Sequence, residues 1–209
     1  RIDDRTETTC LLGIAGPAAG QVAIDHLSES LPARLKALQC FTFEFHGFRA
    51  LGVRTSDTGE DGFELMLAPA VARHVLETLT AAGVRPAGFE ALDAARIEAC
   101  LPALAPDLEP GVSPAEADLD ALLEVEGGRE GRILSGLLVE GGATLPAGLP
   151  LTAGGEIAGE VRSCVHSPGL NATIALGIIE VRHAYPGRQL EADGVPVTVV
   201  AKPFYRKRG

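Results

Sequence analysis

The chain has 209 residues, 46% of them hydrophobic and 22% charged, enough to bury a sizeable core and without the composition of a disordered protein. Its formal net charge is −10, and aromatics make up 4% with no tryptophan. A basic phosphate-gripping surface and a stacking platform for single-stranded nucleic acid are therefore both excluded. No apolar run approaches the roughly 20 residues that span a bilayer, and no signal peptide opens the chain, so the expected setting is cytoplasmic, away from membranes.

The sequence begins at Arg1 in a charged stretch that leads straight into "CLLGIAGP", the look of a processed protein or of a piece of a longer one. "TTCLLGIAGP" predicts a short buried strand ended by Gly16-Pro17. Pro17 then opens a helix carrying Val22, Ile24 and Leu27. A second short helix is expected from Pro32 to about Leu38. In "FTFEFHGFRALGVRTS", Phe41, Phe43 and Phe45 alternate with polar residues as a half-buried strand requires. His46-Gly47 predicts the hairpin turn, and Leu51 and Val53 the return strand. An acidic turn follows, and "FELMLAP" predicts another strand. "PAVARHVLETLTAAG" is the clearest helix, with Pro69 at its start, Val71, Val75 and Leu79 on one face and Gly83 at its end. A further helix is expected from about Phe89 to Leu101.

Beyond Leu101 the composition changes. "PALAPDLEPGVSP" holds four prolines, which excludes regular structure and marks a connection. Then come six short β-type runs: "RILSGLLVE", "LPLTAG", "EIAGEVRSCV", "TIALGIIE", "RQLEA" and "VPVTVVAKP". Gly141-Gly142, Gly154-Gly155 and Asp193-Gly194 supply turns between them. The expected fold class is α+β: a mixed α/β domain over residues 1–104, a connecting segment over 105–128, and a small β-barrel over 129–209.

Cys10, Cys40, Cys100 and Cys164 form no CxxC pair, and no histidine stands at ligand spacing from them; they are expected to be buried, reduced thiols, with no metal site. No nucleophile elbow, P-loop or GxGxxG is present. His26, His74 and His166 are expected to be structural. The dense carboxylates of "SDTGEDGFEL" admit two readings. Asp57, Glu60 and Asp61 fit a solvated turn shaped by Gly59 and Gly62. Glu64 instead begins the next strand, where a rigidly held carboxylate can accept two parallel N–H donors from one planar ligand edge, such as the amino-pyrimidine edge of a pterin.

Several segments, in order, resemble the glycine-cleavage T-protein (aminomethyltransferase) superfamily, which includes the YgfZ-type folate-binding branch. "RTSDTGEDGFEL" resembles its "TGYTGEDGFE" signature, and "GVRPAGFEALDAARIEACLP" its following helix. "SPAEADLD", "GEVRSCVHSPGLNATIALGIIE", the "PFY"-type tail and "LLGIAGPAA" also have counterparts there. The resemblance covers the later part of that fold, so the folate-binding domain is expected to be incomplete at its N-terminal side. It implies tetrahydrofolate as cofactor, with Glu64 on the pterin and Tyr205 near the folate. It also implies one-carbon transfer from a lipoyl carrier protein, or work within a larger enzyme complex.

Among the chain's departures from the family pattern, Leu92 stands where the family has a folate-contacting arginine, and Asp57 replaces a tyrosine. Arg96 matches the second arginine of the helix motif and is expected to be an ordinary helix charge. The family's reaction-promoting aspartate lies upstream of any matching segment, so no catalytic residue is assigned, and a carboxylate out of hydrogen-bond reach cannot serve the reaction. The alternatives implied are a non-catalytic folate-binding relative of the iron–sulfur maturation type and a T-protein-like subunit of a sarcosine-oxidase-type complex. The basic tail "FYRKRG" is expected to be solvated.

Overall fold

A computed structural model describes residues 2–27, 35–109, 111–119 and 131–205. The chain divides into two compact units, Arg1–Gly88 and Phe89–Gly209.

The first unit is a four-stranded antiparallel sheet in the order β1-β4-β3-β2, formed by β1 (Cys10–Ala15), β2 (Cys40–Phe45), β3 (Phe48–Val53) and β4 (Gly62–Leu67). Helices α1 (Ala19–His26) and α2 (Pro69–Ala81) pack on one of its faces. Phe43, Phe45, Phe63, Leu65 and Leu67 from the strands meet Ala19, Ala23, Val71, Val75 and Leu79 from the helices in one core. Each large side chain buried there contributes about 1.5–3 kcal/mol relative to exposure. His46 and Gly47 both take positive φ, 47° and 81°, as the two central residues of a type I′ hairpin must. That turn fixes the β2–β3 register, and with it which face every side chain takes.

Three expectations change here. β1 is not buried: among the described residues it is an edge strand bonded only to β4, and Leu11, Gly13 and Ala15 lie exposed while Ile14 faces the helices. The first helix begins at Ala19 rather than at Pro17, and its buried line is Ala19, Ala23 and Leu27, four residues apart, with Val22 half-buried against the same core. Of the helix expected from Pro32, residues 32–34 lie outside those described, and Leu35–Leu38 are not helical, with Leu38 at φ 64°. α2 occupies its expected place, with Pro69 in the first turn and Val71, Val75 and Leu79 buried.

The second unit opens with α3 (Phe89–Glu98), passes through the proline-rich turns and closes a six-stranded antiparallel barrel. Its strands are β5 (Arg132–Val139), β6 (Pro150–Ala153), β7 (Glu156–Ser167), β8 (Ala172–Glu180), β9 (Gln189–Ala192) and β10 (Val195–Val200), in the order β10-β5-β8-β7-β6-β9. All six expected runs are strands. Gly154-Gly155 and Asp193-Gly194 make hairpin turns with both residues at positive φ. One side of the barrel wall packs Leu137, Val139, Leu151, Val161, Ala175, Ile179, Val197 and Val199 together. The other side of β5 and β8, through Leu134, Ile174, Leu176 and Ile178, receives Ile97 of α3. A second tie joins α3 to β7, where the Ser167 hydroxyl donates a short hydrogen bond to the Glu98 carboxylate.

No disulfide forms among the described cysteines, but they are not uniformly buried: Cys40 is exposed and the other three are half-buried. Burial pushes the Cys100 thiol up to about 11 and raises that of Cys164. A maleimide added to the folded protein at pH 8 should label Cys40 first and Cys100 last, because the thiolate is the nucleophile. Peptide mass mapping of a time course checks the order.

Candidate functional site

The acidic turn is more tightly built than a solvated loop. The Arg54 guanidinium donates to both oxygens of Asp61, from Nε at 3.1 Å and Nη2 at 3.0 Å, in a two-pronged pair that is half-buried. Its Nη1 also donates to the Leu35 carbonyl. Thr58 N–H donates to Ser56 Oγ at 3.1 Å, and the Ser56 and Thr58 hydroxyls meet at 2.7 Å. The Gly16 N–H donates to the Asp61 carbonyl at 2.9 Å, tying the end of β1 to the turn. Glycine is obligatory at the exit, since a Cβ on Gly62 would stand 2.6 Å from the Ile14 carbonyl oxygen and 2.7 Å from Ser56 Cβ. Asp61 is therefore a structural carboxylate, and Arg54 is the residue that sequence reasoning missed. Its signal was a charged residue directly bordering the turn.

The stiff turn delivers Glu64 to β4 between two partners, Gly13 on β1 and Val53 on β3. Phe63 and Leu65 on either side of it are buried on the helix-covered face, so strand alternation puts Glu64 on the other face. Met66 and its register partners Leu11 and Leu51 share that face, exposed at 42%, 65% and 38%. Among the described residues nothing donates a hydrogen bond to the Glu64 carboxylate and no cation pairs with it. Partial burial raises its pKa, and the nearby Asp57 charge raises it further. A desolvated carboxylate with an anionic neighbour is an acceptor that favours an incoming N–H donor or cation.

A family model described as the GCVT N-terminal domain matches residues 1–127, and one described as the glycine cleavage T-protein C-terminal barrel domain matches residues 132–206. The chain belongs to the glycine cleavage T-protein family. An aminomethyltransferase of Streptomyces avermitilis is 34% identical over 99% of this chain and 62% of its own length. One of Thermosynechococcus vestitus is 32% identical over 98% of this chain and 60% of its own. The solved glycine cleavage system aminomethyltransferase T from Bartonella henselae superposes with a TM-score of 0.76 at 27% identity, covering 94% of this chain and 60% of that one. The chain thus spans about three fifths of the length of these T-protein relatives.

The remaining residues singled out for the T-protein family fall in the second unit. Tyr205 follows the last strand; its backbone N–H donates to the Glu98 carbonyl at 3.0 Å, and the residue is 38% exposed. Glu64 and Tyr205 thus belong to separate units. Leu92 is half-buried on α3.

Arg96 is not an ordinary helix charge. Only 8% exposed, it donates from Nε to Asp93 at 2.6 Å, from Nη1 to Asp107 at 2.6 Å, and from Nη2 to Ser163 Oγ at 2.9 Å. Ser163 Oγ in turn donates to the other Asp107 oxygen at 2.5 Å, and the Ala103 N–H donates to Asp107 at 2.8 Å. With Asp107 wholly buried, this knot joins the helix, the proline-rich turns and a barrel strand. His74 packs against Phe45 and His46, with ring centroids 5.5 and 5.2 Å apart, while His26 and His166 lie exposed at a helix end and on β7.

No described helix is long and apolar enough to cross a membrane. Among the described residues no group of three or more His, Cys, Asp or Glu side chains could hold a metal ion.

Proposed function

We propose that this chain forms the pterin-gripping and barrel portion of a tetrahydrofolate-dependent aminomethyltransferase, with Glu64 as the pterin ligand. The observation that carries the proposal is the unpaired carboxylate of Glu64, held on a stiff strand, half out of water and on the face left open by the helices. Such a group fits the amino-pyrimidine edge of a pterin, which offers two parallel N–H donors that a fixed carboxylate can accept together. The relatives named aminomethyltransferase support transfer of an aminomethyl group as the reaction class. Tetrahydrofolate, when bound, supplies the nitrogen that accepts the one-carbon unit. Glu64 holds and orients the far edge of the ring, and so contributes through positioning rather than proton transfer. The donor we propose is an amine carried on a lipoyl-bearing protein.

Isothermal titration of 5-formyltetrahydrofolate into the full-length protein should give saturable heat, and Glu64→Gln should abolish it. Absence of heat from the unsubstituted protein overturns the proposal. The same substitution has a second readout. Glu64 has a raised folded-state pKa, so its contribution to stability is present below the ordinary carboxylate pKa and is lost as pH rises through the folded value. Glu64→Gln should therefore melt slightly higher than the parent at neutral pH, and the two should converge in acid. Scanning calorimetry across pH 3 to 8, a range set to bracket roughly the carboxylate titration, follows both limbs.

A further inference from the structure

Gly13 lies in the middle of β1, directly opposite Glu64 in the β1–β4 register. A glycine inside a strand weakens it, and normally marks a bulge, a bend or the close approach of something to the backbone. The fold explains none of this at Gly13. The pairing from Cys10 to Ala15 with Leu67 to Gly62 runs without a register shift, so there is no bulge. Its φ is not in the left-handed region, and a Cβ built there would meet no atom within 4 Å. Among the described residues nothing stands in the way of a Cβ at this position. What the missing side chain does leave is a flat patch of backbone beside the unpaired carboxylate. Leu11 and Met66 stand one row along the same face, and Val53 lies on the far side of Glu64.

We infer that Gly13 is the floor of the ligand seat: the planar heterocycle gripped at its edge by Glu64 lies flat on the β1 backbone there, against the exposed Leu11 and Met66. This rests on Glu64 being the ligand's anchor, and adds the contact that sets which rings fit. Charge complementarity selects the occupant, because an acceptor with no donor of its own takes a donor-bearing aromatic edge rather than a purely apolar one. A Cβ at Gly13 would lift the ring from the sheet and pull its edge out of line with the carboxylate.

Gly13→Ala and Gly13→Val in the full-length protein test this by titration with 5-formyltetrahydrofolate and, separately, with pterin alone. Melting temperature should stay level or rise in both variants. Affinity should fall at least fivefold for alanine and further for valine, with similar factors for the two probes because the contact is at the ring. A loss smaller than fivefold overturns the floor assignment while leaving the Glu64 anchor standing. A melting temperature several degrees lower in Gly13→Ala also overturns it, since the glycine would then have a reason in the fold. Failure of the unsubstituted protein to bind either probe removes both assignments together.

Discussion

Replacing Asp107 with alanine should destabilise the second unit by about 3–5 kcal/mol, the cost of stranding a buried partner charge. Asp107 is fully buried and accepts from the Arg96 guanidinium, the Ser163 hydroxyl and the Ala103 N–H. With it gone, Arg96 at 8% exposure keeps one carboxylate, that of Asp93, itself partly in water, beside the neutral Ser163 hydroxyl and the Leu101 carbonyl at 3.3 Å. Asp107→Asn tests whether charge or shape matters, since the amide retains one acceptor but cannot match the guanidinium. The double substitution Arg96→Leu with Asp107→Leu should cost clearly less than either single change to alanine, because no uncompensated charge remains. Urea unfolding curves of the parent, Asp107→Ala, Asp107→Asn, Arg96→Ala and the double variant give these differences. If the single and double variants cost the same, the knot is incidental to stability.

Gly62→Ala is the second change with a large expected effect, about 1–3 kcal/mol or more of overpacking cost. The added methyl meets the Ile14 carbonyl oxygen at 2.6 Å, and backbone cannot swing aside as a long side chain would. Relief requires prising the end of β1 from β4, where Ala15 pairs with Gly62 and the Gly16 N–H holds the Asp61 carbonyl. Glu64 lies two residues on, so ligand binding should fail along with stability. The comparison with Gly13→Ala is informative. One added carbon on adjacent strands should lower stability and binding together at Gly62, but binding alone at Gly13. Chemical denaturation and titration on the same samples separate the two patterns.

What could be learned from the sequence alone follows the range of the forces involved. The six barrel strands, the His46-Gly47 hairpin and α2 were all legible, because alternation, turn residues and capping are decided within a few neighbouring positions. The place of Glu64 on a strand beyond a glycine-built turn was legible for the same reason. Its lack of a partner was not, since that depends on what the adjacent strands bring alongside. The exposure of β1 was equally hidden, as an edge strand and a central one carry similar short apolar runs. The role of Arg96 was hidden deepest: its partners Asp107 and Ser163 lie 11 and 67 residues away, and nothing local to the helix announces them. Arg54 and Asp61 are an intermediate case, seven residues apart across one turn, where opposite charges could pair or simply face water.

Strand β8 has a consequence for how the barrel selects one arrangement. Residues Thr173–Ile179 are buried without interruption, because one side faces the barrel lumen and the other the helix. A strand with one wet face is kept in step by alternation, since a slip of one residue would drive polar groups inward. β8 has no such safeguard: shifted by one, it would still offer apolar groups to both sides. The step is instead set by two missing side chains. A Cβ on Gly177 would come within 2.8 Å of Leu137 and 3.0 Å of the Glu160 carbonyl, and one on Gly159 of β7 would come within 2.3 Å of the Ile178 carbonyl. Only when these bare positions meet their bulky neighbours can the wall close, so the glycines act as the notches of a key that hydrophobicity alone would leave free to turn.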